Sequence, residues 1–491
     1  MNEFKDVPFQ SKKKVDVNNF SSQIAVLSNT GVNIESFPRL APEVTDDARF
    51  IRAHDSLANG GNLFIPNNIY IVNSLTFTKT IHIIGSYGTI KLKDGATASD
   101  FILSLKGHYS SVEGIWFDGN KVNTTNNTGR AEGLRLEGDY CVVRSCWSKD
   151  TINGGFAHTF VNFGKHNTFD KCVSFNAGYA AFSNNGGDYL TVQNCTALNF
   201  RIKGFRHNGN ASLVVLDNCY FESNTSEVAS DGILFDSGEG SMLSIARVSK
   251  CTVKGTIGSN SLKCEYVEKV IIENCDLLAS GATIYGINLQ VAVKEASITN
   301  VKLNGYLRTV GDTDRLTLKN VTIVTDSTKT ENMSFGGRDL IVDGLYLSGA
   351  QNGIRFEVLH ASGKQSLVID NVELTASSAS GKLLRPITFL GSDHVTLKRY
   401  KILNGDTALF SGLTGASAND RQIQRAPRTF SANAMPTTGT FVAGDKVVNY
   451  APSVLGTAGS QYILDGWKRL TTGSTNVLNT DWVEQRISTG S

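Results

Sequence analysis

Several shortages narrow the reading before any motif is sought. Proline is scarce, at 8 in 491 residues, while glycine reaches 47. That balance suits many tight turns rather than a low-complexity chain. Charge of one sign is missing as well: Lys and Arg total 47, Asp and Glu 45, and the net charge is +2. A near-neutral chain offers no electrostatic footprint for nucleic acid or an anionic membrane. No run of about 18 consecutive apolar residues occurs, so no membrane insertion is expected. The opening MNEFKDVPFQSKKK has no apolar stretch after its charges, so no secretory signal is expected either. The 8 cysteines include no CxxC pair. They therefore suggest neither a disulfide scaffold nor a cysteine metal site, and no cofactor is expected.

What the chain does have is a repeat. Residues 188–204, DYLTVQNCTALNFRIKG, hold a short apolar strand, an Asn-Cys pair, a corner, and a glycine before the next strand. Cysteine recurs at that place as Cys146, Cys172, Cys195, Cys219, Cys251 and Cys275, at spacings of 26, 23, 24, 32 and 24. Gly114 fits the position before this row; Val301, Val321, Gly344 and Val372 fill it afterwards. A strand-rich repeat of this length implies a solenoid whose turns bury their faces against one another. The cysteines then read as small buried hydrophobes. The neighbouring Asn194, Asn218, Asn274, Asn300, Asn320 and Asn371 suit left-handed turns and side-chain stacking along the solenoid.

Taken in order, residues 1–40 are a polar arm with a basic run at Lys12–Lys14. Residues 45–59, TDDARFIRAHDSLAN, predict a helix: Thr45 can cap it, Asp46 and Asp47 favour its start, and Phe50, Ile51 and Leu57 share a face. Gly60-Gly61 should end it. Alternating strands follow to about residue 75, and the repeats run over 76–405. Residues 406–430 read as a linker. Residues 431–491 form a small β-rich module with Trp467 and Trp482.

The opening segment, Thr45-Asp46-Asp47, Gly60-Gly61, Leu63-Phe64-Ile65-Pro66 and Ile69-Tyr70-Ile71, resembles that of phage tailspikes and other pectate-lyase-like proteins. The resemblance implies an all-β, right-handed single-stranded parallel β-helix of about twelve coils, near 60 Å long at the strand spacing. It also implies that residues 41–75 hold a helix capping the first coil, followed by entry strands. The segment GTFVAGDKVVN followed by Gly-Trp is similar to C-terminal modules of phage tail proteins, which implies trimerisation or surface binding. A homotrimer in the virion tail follows, with the arm docking to tail or baseplate and host surface polysaccharide as partner.

A solenoid interior is packed, so a ligand site belongs on an outer face. Strand alternation places Leu134, Phe156, Tyr179, Phe205, Ile233, Ile287 and Ile354 inside. It places Arg135, Glu137, Arg206, Asn208 and Asp236 outside, and His158 and His207 inside. The densest acidic stretch is 226–242, SEVASDGILFDSGEGSM, in the long coil after Cys219. Glycoside hydrolysis uses two carboxyl groups. Asp231, Asp236 and Glu239 are the candidates for that pair, with Glu227 nearby. Arg206, Asn208 and Glu222 are the candidates for holding substrate beside them. Trp116 with Asp118, and Arg135 with Glu137, are further substrate-binding candidates, because an exposed aromatic ring can stack on a sugar face.

Two family signals fail. Arg201-Ile202-Lys203 matches the RIK of polygalacturonase-type hydrolases, but the accompanying NTD, DD and GHG motifs are missing, so those catalytic aspartates cannot be carried over. Lyases of this fold share a Ca²⁺ site of clustered acids, and consecutive coils show none; no metal is expected. The reading is a depolymerase that hydrolyses host capsule, exopolysaccharide or teichoic acid. A non-enzymatic glycan-binding spike and a uronic-acid lyase are the alternatives.

Overall fold

The computed structural model describes residues 31–96, 101–124, 132–151, 157–224, 229–280, 285–310, 313–325, 331–349, 352–356, 366–375, 385–389, 394–397, 400–403, 410–411, 422–425, 429–439 and 441–489, with backbone alone over 352–367 and within 374–425. The arm before residue 31, Phe156, Glu227 and most of the linker lie outside these. The chain divides into two compact units, 1–234 and 235–491.

The first unit is built from parallel strands in two sheets. Each coil gives one sheet a pair of short strands, such as Ser111–Glu113 with Trp116–Asp118, and Val142–Arg144 with Trp147–Lys149. The other sheet takes one strand per coil: Phe101–Leu105, Glu132–Leu136, Phe160–Asn162, Ala180–Asn185 and Lys203–Asn208. Register is strict, coil to coil: Leu103, Leu134, Phe160, Phe182 and Phe205 stand in one interior row. Phe160 and Phe182 stack at 5.2 Å. Burying each such ring contributes about 2–3 kcal/mol. This is the right-handed parallel β-helix, in which every coil's strands pair with the next coil's.

Helix α1, Asp47–Ser56, is shorter than the pattern over 45–59 predicts. Its buried positions are Arg49, Phe50, Ala53 and His54, with Leu57 just beyond its end. Ile51 is exposed, because it lies a full 100° from Phe50 on the wheel. Phe50 packs edge-on to Tyr70, and His54 stacks on Phe77. The aspartates do more than favour the helix start. Asp46 makes no side-chain cap; its buried carboxylate takes Arg39, Arg49 and the Ile71 amide. Asp47 takes the Asn73 and Ser74 amides. Burial opposes ionisation of Asp46, but the Arg39, Ile71 and Arg49 hydrogen bonds outweigh it and hold its pKa low.

The second unit repeats the scheme with longer strands. Glu295–Asn304, Arg315–Val324 and Asp339–Ser348 each run through the corner that separates two strands in the first unit. Its other sheet includes Ile257–Glu265, Tyr285–Leu289 and Tyr306–Thr309. Within this unit Thr429–Ala432, Lys446–Asn449, Val454–Leu455, Tyr462–Arg469 and Trp482–Ser488 form a separate mostly antiparallel sheet. Val447, Trp467 and Trp482 are its core. Arg469 is buried there by four hydrogen bonds to carbonyls and to Asn476.

The expected stacks are present in each unit. Asn194 and Asn218 are left-handed, and Asn218 donates to Asn194 at 2.8 Å. In the second unit Asn320 donates to Asn300 and Asn300 to Asn274. All eight cysteines are buried and free. Burial pushes the Cys141 thiol up to about 11, and Cys146 and Cys195 well above their ordinary value. These three are therefore not thiolate nucleophiles at neutral pH.

Among the described inward positions, alternation fails at one. Tyr179 is half-buried, and Phe182 fills the interior row instead. The strand begins at Ala180, so Gly178 and Tyr179 still belong to the corner. A slip of one residue moves a side chain to the opposite face.

Candidate functional site

The substrate-binding candidates fall on two faces of the first unit. One is the outer face of the second strands in the two-strand sheet. There Trp116 and Trp147 are paired in register, and their rings stack at 5.0 Å and 2°. The next outward row holds Lys91, Asp118 and Lys149. Lys149 Nζ lies 3.2 Å from Asp118 and 3.4 Å from Asp150. Burial pulls the Lys149 pKa down, but the two carboxylates outweigh it and the pKa is raised. Asp118 also accepts the Asn120 amide, and Asp150 the Asn176 side chain. The two carboxylates share one ammonium. Their oxygens can accept hydrogen bonds from hydroxyls. Four coils away, Glu222 accepts from Tyr220 Oη and from Asn224. Burial first, and Glu222 second, raise the Tyr220 phenol to about 12.

The other face is the outer side of the single-strand sheet. Arg135 lies between the rings of Phe101 and Phe163, 4.5 and 5.4 Å from their centroids. Its Nε donates to the buried Glu132 at 2.6 Å, and Glu137 lies 3.6 Å from Nη1. Glu137 also takes Ser104 and Lys106. Arg206 stands over Tyr179 at 5.7 Å and has no carboxylate within ion-pair distance among the described residues. Asn208 is half-buried beside Asn185. Arg206 and Asn208 are thus open to a ligand, whereas Arg135 is clamped.

The three acids proposed for chemistry differ in their surroundings. Asp231 is buried in the first unit, 2.6 Å from Lys203 of the RIK segment. The unit boundary falls between Leu234 and Phe235, so Asp236 and Glu239 belong to the second. Asp236 accepts the Gly238 amide at 3.0 Å, closing a turn. Glu239 is exposed between Gly238 and Gly240, both left-handed. Neither has an ion-pair partner among the described residues. His158 and His207 are fully buried, as alternation predicted.

One array lies outside the strand alternation argument. Tyr109, Tyr140, His166 and Tyr189 occupy the corner that leads from the single-strand sheet to the two-strand sheet. Their rings stack at 5.0, 4.7 and 4.5 Å, none tilted more than 9°. All four are left-handed, with φ of 58°, 58°, 56° and 54°. Each stands two residues after a glycine: Gly107, Gly138, Gly164 and Gly187. A Cβ on Gly164 would lie 2.0 Å from the Gly138 carbonyl, and one on Gly138 2.4 Å from that of Gly107. Behind the corner, interior amides serve these glycines: Asn167 donates to Gly138, Asn162 to Gly164 and Asn184 to Gly187. His207 Nε2 lies 2.9 Å from the Gly209 carbonyl, and Asn184 donates to its Nδ1. Burial pushes its pKa down to about 4, so the ring is neutral. The signal was in the sequence, as Gly-x-Tyr or Gly-x-His once per coil.

No protein-family model matches the chain, and no curated protein matches its sequence. Among solved structures, the N-terminal fragment of gene product 12 of bacteriophage phi29 aligns at a TM-score of 0.52 and 13% identity, over 85% of this chain and 77% of that one. Tailspike protein 3 of bacteriophage CBA120 aligns at 0.42 and 11%, over 90% and 68%. The A-module of mannuronan C-5 epimerase AlgE6 from Azotobacter vinelandii aligns at 0.49 and 14%, over 80% and 99%. At these identities the likeness is one of fold.

Proposed function

We propose that the protein is a tailspike-type polysaccharide depolymerase: it binds a host surface polysaccharide on its outer faces and hydrolyses it. The observation that carries the reading is the Trp116–Trp147 stack beside Asp118, Lys149 and Asp150. Both rings are half-buried, and their exposed parts beside carboxylate acceptors offer what sugar rings and hydroxyls require. The opening-segment resemblance supports placement in a phage tail, with residues 1–40 as the docking arm and a homotrimer as the assembled form. A mass of three chains by light scattering is the expected result.

For hydrolysis, Asp236 and Glu239 are the acid and base of this reading, since neither is spent on an ion pair. Asp231, neutralised by Lys203, is a positioning residue that fixes the strand leading to Asp236. Incubation with capsule, exopolysaccharide or teichoic acid should release reducing ends. D236N or E239Q should lower that release by roughly 10²–10⁴, and D231N should lower it less while reducing thermal stability. Full activity in both D236N and E239Q would sink the assignment. Binding without release would leave a glycan-recognition spike, and an unsaturated, absorbing product would mark a lyase.

A further inference from the structure

The aromatic corner calls for its own explanation. A left-handed corner asks for glycine or asparagine, and a bulky residue there is an outlier that costs about 1–2 kcal/mol. Another corner of the same coils takes Gly114, Ser145, Lys171, Asn194 and Asn218, none of them aromatic. In the second unit the left-handed residues that open strands include Tyr266 and Ala292, so the turn does not require an aromatic run. Nor do the four rings fill a core: Tyr109, Tyr140 and Tyr189 are 63%, 47% and 41% exposed, and His166 is exposed as well. Backbone strain retained at the surface is a mark of function.

Resting on the polysaccharide reading above, we propose that the ladder of Tyr109, Tyr140, His166 and Tyr189 is a second glycan-binding site. Three phenol hydroxyls and an imidazole stand along one exposed edge and can exchange hydrogen bonds with sugar hydroxyls. Inside the ladder the ring faces are taken by neighbours. Tyr109, the end rung and the most exposed, offers the face turned away from Tyr140. One sugar stacks on that face, and the following sugars bond along the edge. The rim carries the exposed Lys165 as well as acids: His108 lies 3.4 Å from Asp139, whose carboxylate also takes the Lys165 amide, and Asp188 takes the Ser212 amide. A polyanion would meet Asp139 and Asp188, and an apolar partner would strand the hydroxyls. A hydroxylated, largely uncharged glycan meets neither penalty. Tyrosine also gives large contact area at low cost in side-chain entropy.

The test is a Tyr109→Asn, Tyr140→Asn, Tyr189→Asn triple variant, asparagine being at ease in left-handed backbone. Wild type and variant are run in affinity gels containing dextran, polygalacturonate or a glycerol teichoic acid. Wild type should be retarded by at least one of these, most by the uncharged dextran, and the variant should lose at least tenfold in affinity while keeping its Tm. Equal retardation of both proteins overturns the ladder and leaves the polysaccharide reading standing. No retardation of wild type in any gel overturns both. A loss of binding that comes with a fallen Tm assigns the ladder a structural role and overturns the proposal. As a second readout, carbethoxylation of His166, followed by peptide mass, should slow at least threefold with the retarding polysaccharide; an unchanged rate counts against the site.

Discussion

Two of the left-handed corners of the first unit pose one backbone problem and solve it differently. At both, a left-handed residue donates its N–H to a carbonyl of the next coil: Ser145 to Asp170 and Asn194 to Asp217 at one, Tyr109 to Asp139 and Tyr140 to Lys165 at the other. At the first corner the side chains serve the turn, since Asn218 bonds Asn194 and Asn194 bonds Asp170. At the second, the turn is served from inside by Asn162, Asn167, Asn184 and His207 and by bare glycines. The outward side chains are thereby free to be chosen for something else. A corner whose own side chains hold it has no such freedom.

The largest expected effect comes from the glycines. Gly164→Ala drives a Cβ into the Gly138 carbonyl at 2.0 Å; backbone cannot yield cheaply, and a loss of about 3 kcal/mol or more is expected in urea denaturation. Gly186→Ala, with nothing within 4 Å of its Cβ, should cost only about 1–2 kcal/mol for its positive φ. Equal losses in the two would show that crowding does not govern this corner.

The neutral His207 comes next. Its folded pKa, about 4, lies below the unfolded value near 6.5. The unfolded chain therefore binds more protons between these pH values, so stability is full above about pH 6.5 and falls as the pH drops towards 4. The loss is on the order of 3 kcal/mol at most. His207→Asn should flatten this part of the stability–pH profile; a profile unchanged by the substitution would remove His207 from the corner's support.

Asn194→Ala should then cost about 1–2 kcal/mol, from a left-handed backbone and two lost hydrogen bonds. Tyr140→Asn should change stability least, within about 1 kcal/mol, because lost stacking is offset by relief at φ 58°. A Tyr140→Asn loss as large as that of Asn194→Ala would erase the difference between the corners.

The repeat carried most of the fold in plain view. Cysteine and asparagine recurred at a period of one coil, and burial and left-handed φ at those positions follow from what they are. Strand alternation correctly turned Leu134, Phe205 and His207 inward. It slipped at Tyr179, where the corner ran one residue longer than the glycine suggested. Ile51 misled because it lies about 100° from Phe50, off the stripe that Phe50, Ala53 and His54 bury. The acids were harder. Asp231, Asp236 and Glu239 look alike in sequence, yet one is ion-paired and buried, one closes a turn and one is open.

The sequence by itself determined the solenoid, its interior and its left-handed asparagine corners, because these follow from period and residue type. It also contained the Gly-x-aromatic repeat. Only tertiary structure decided that those rings, some 23–31 residues apart in the chain, stand face to face at 4.5–5.0 Å. It likewise decided that Lys203 belongs to Asp231 and Lys149 to Asp118 and Asp150. Neighbours across coils are set by stacking register, which no local stretch of sequence specifies.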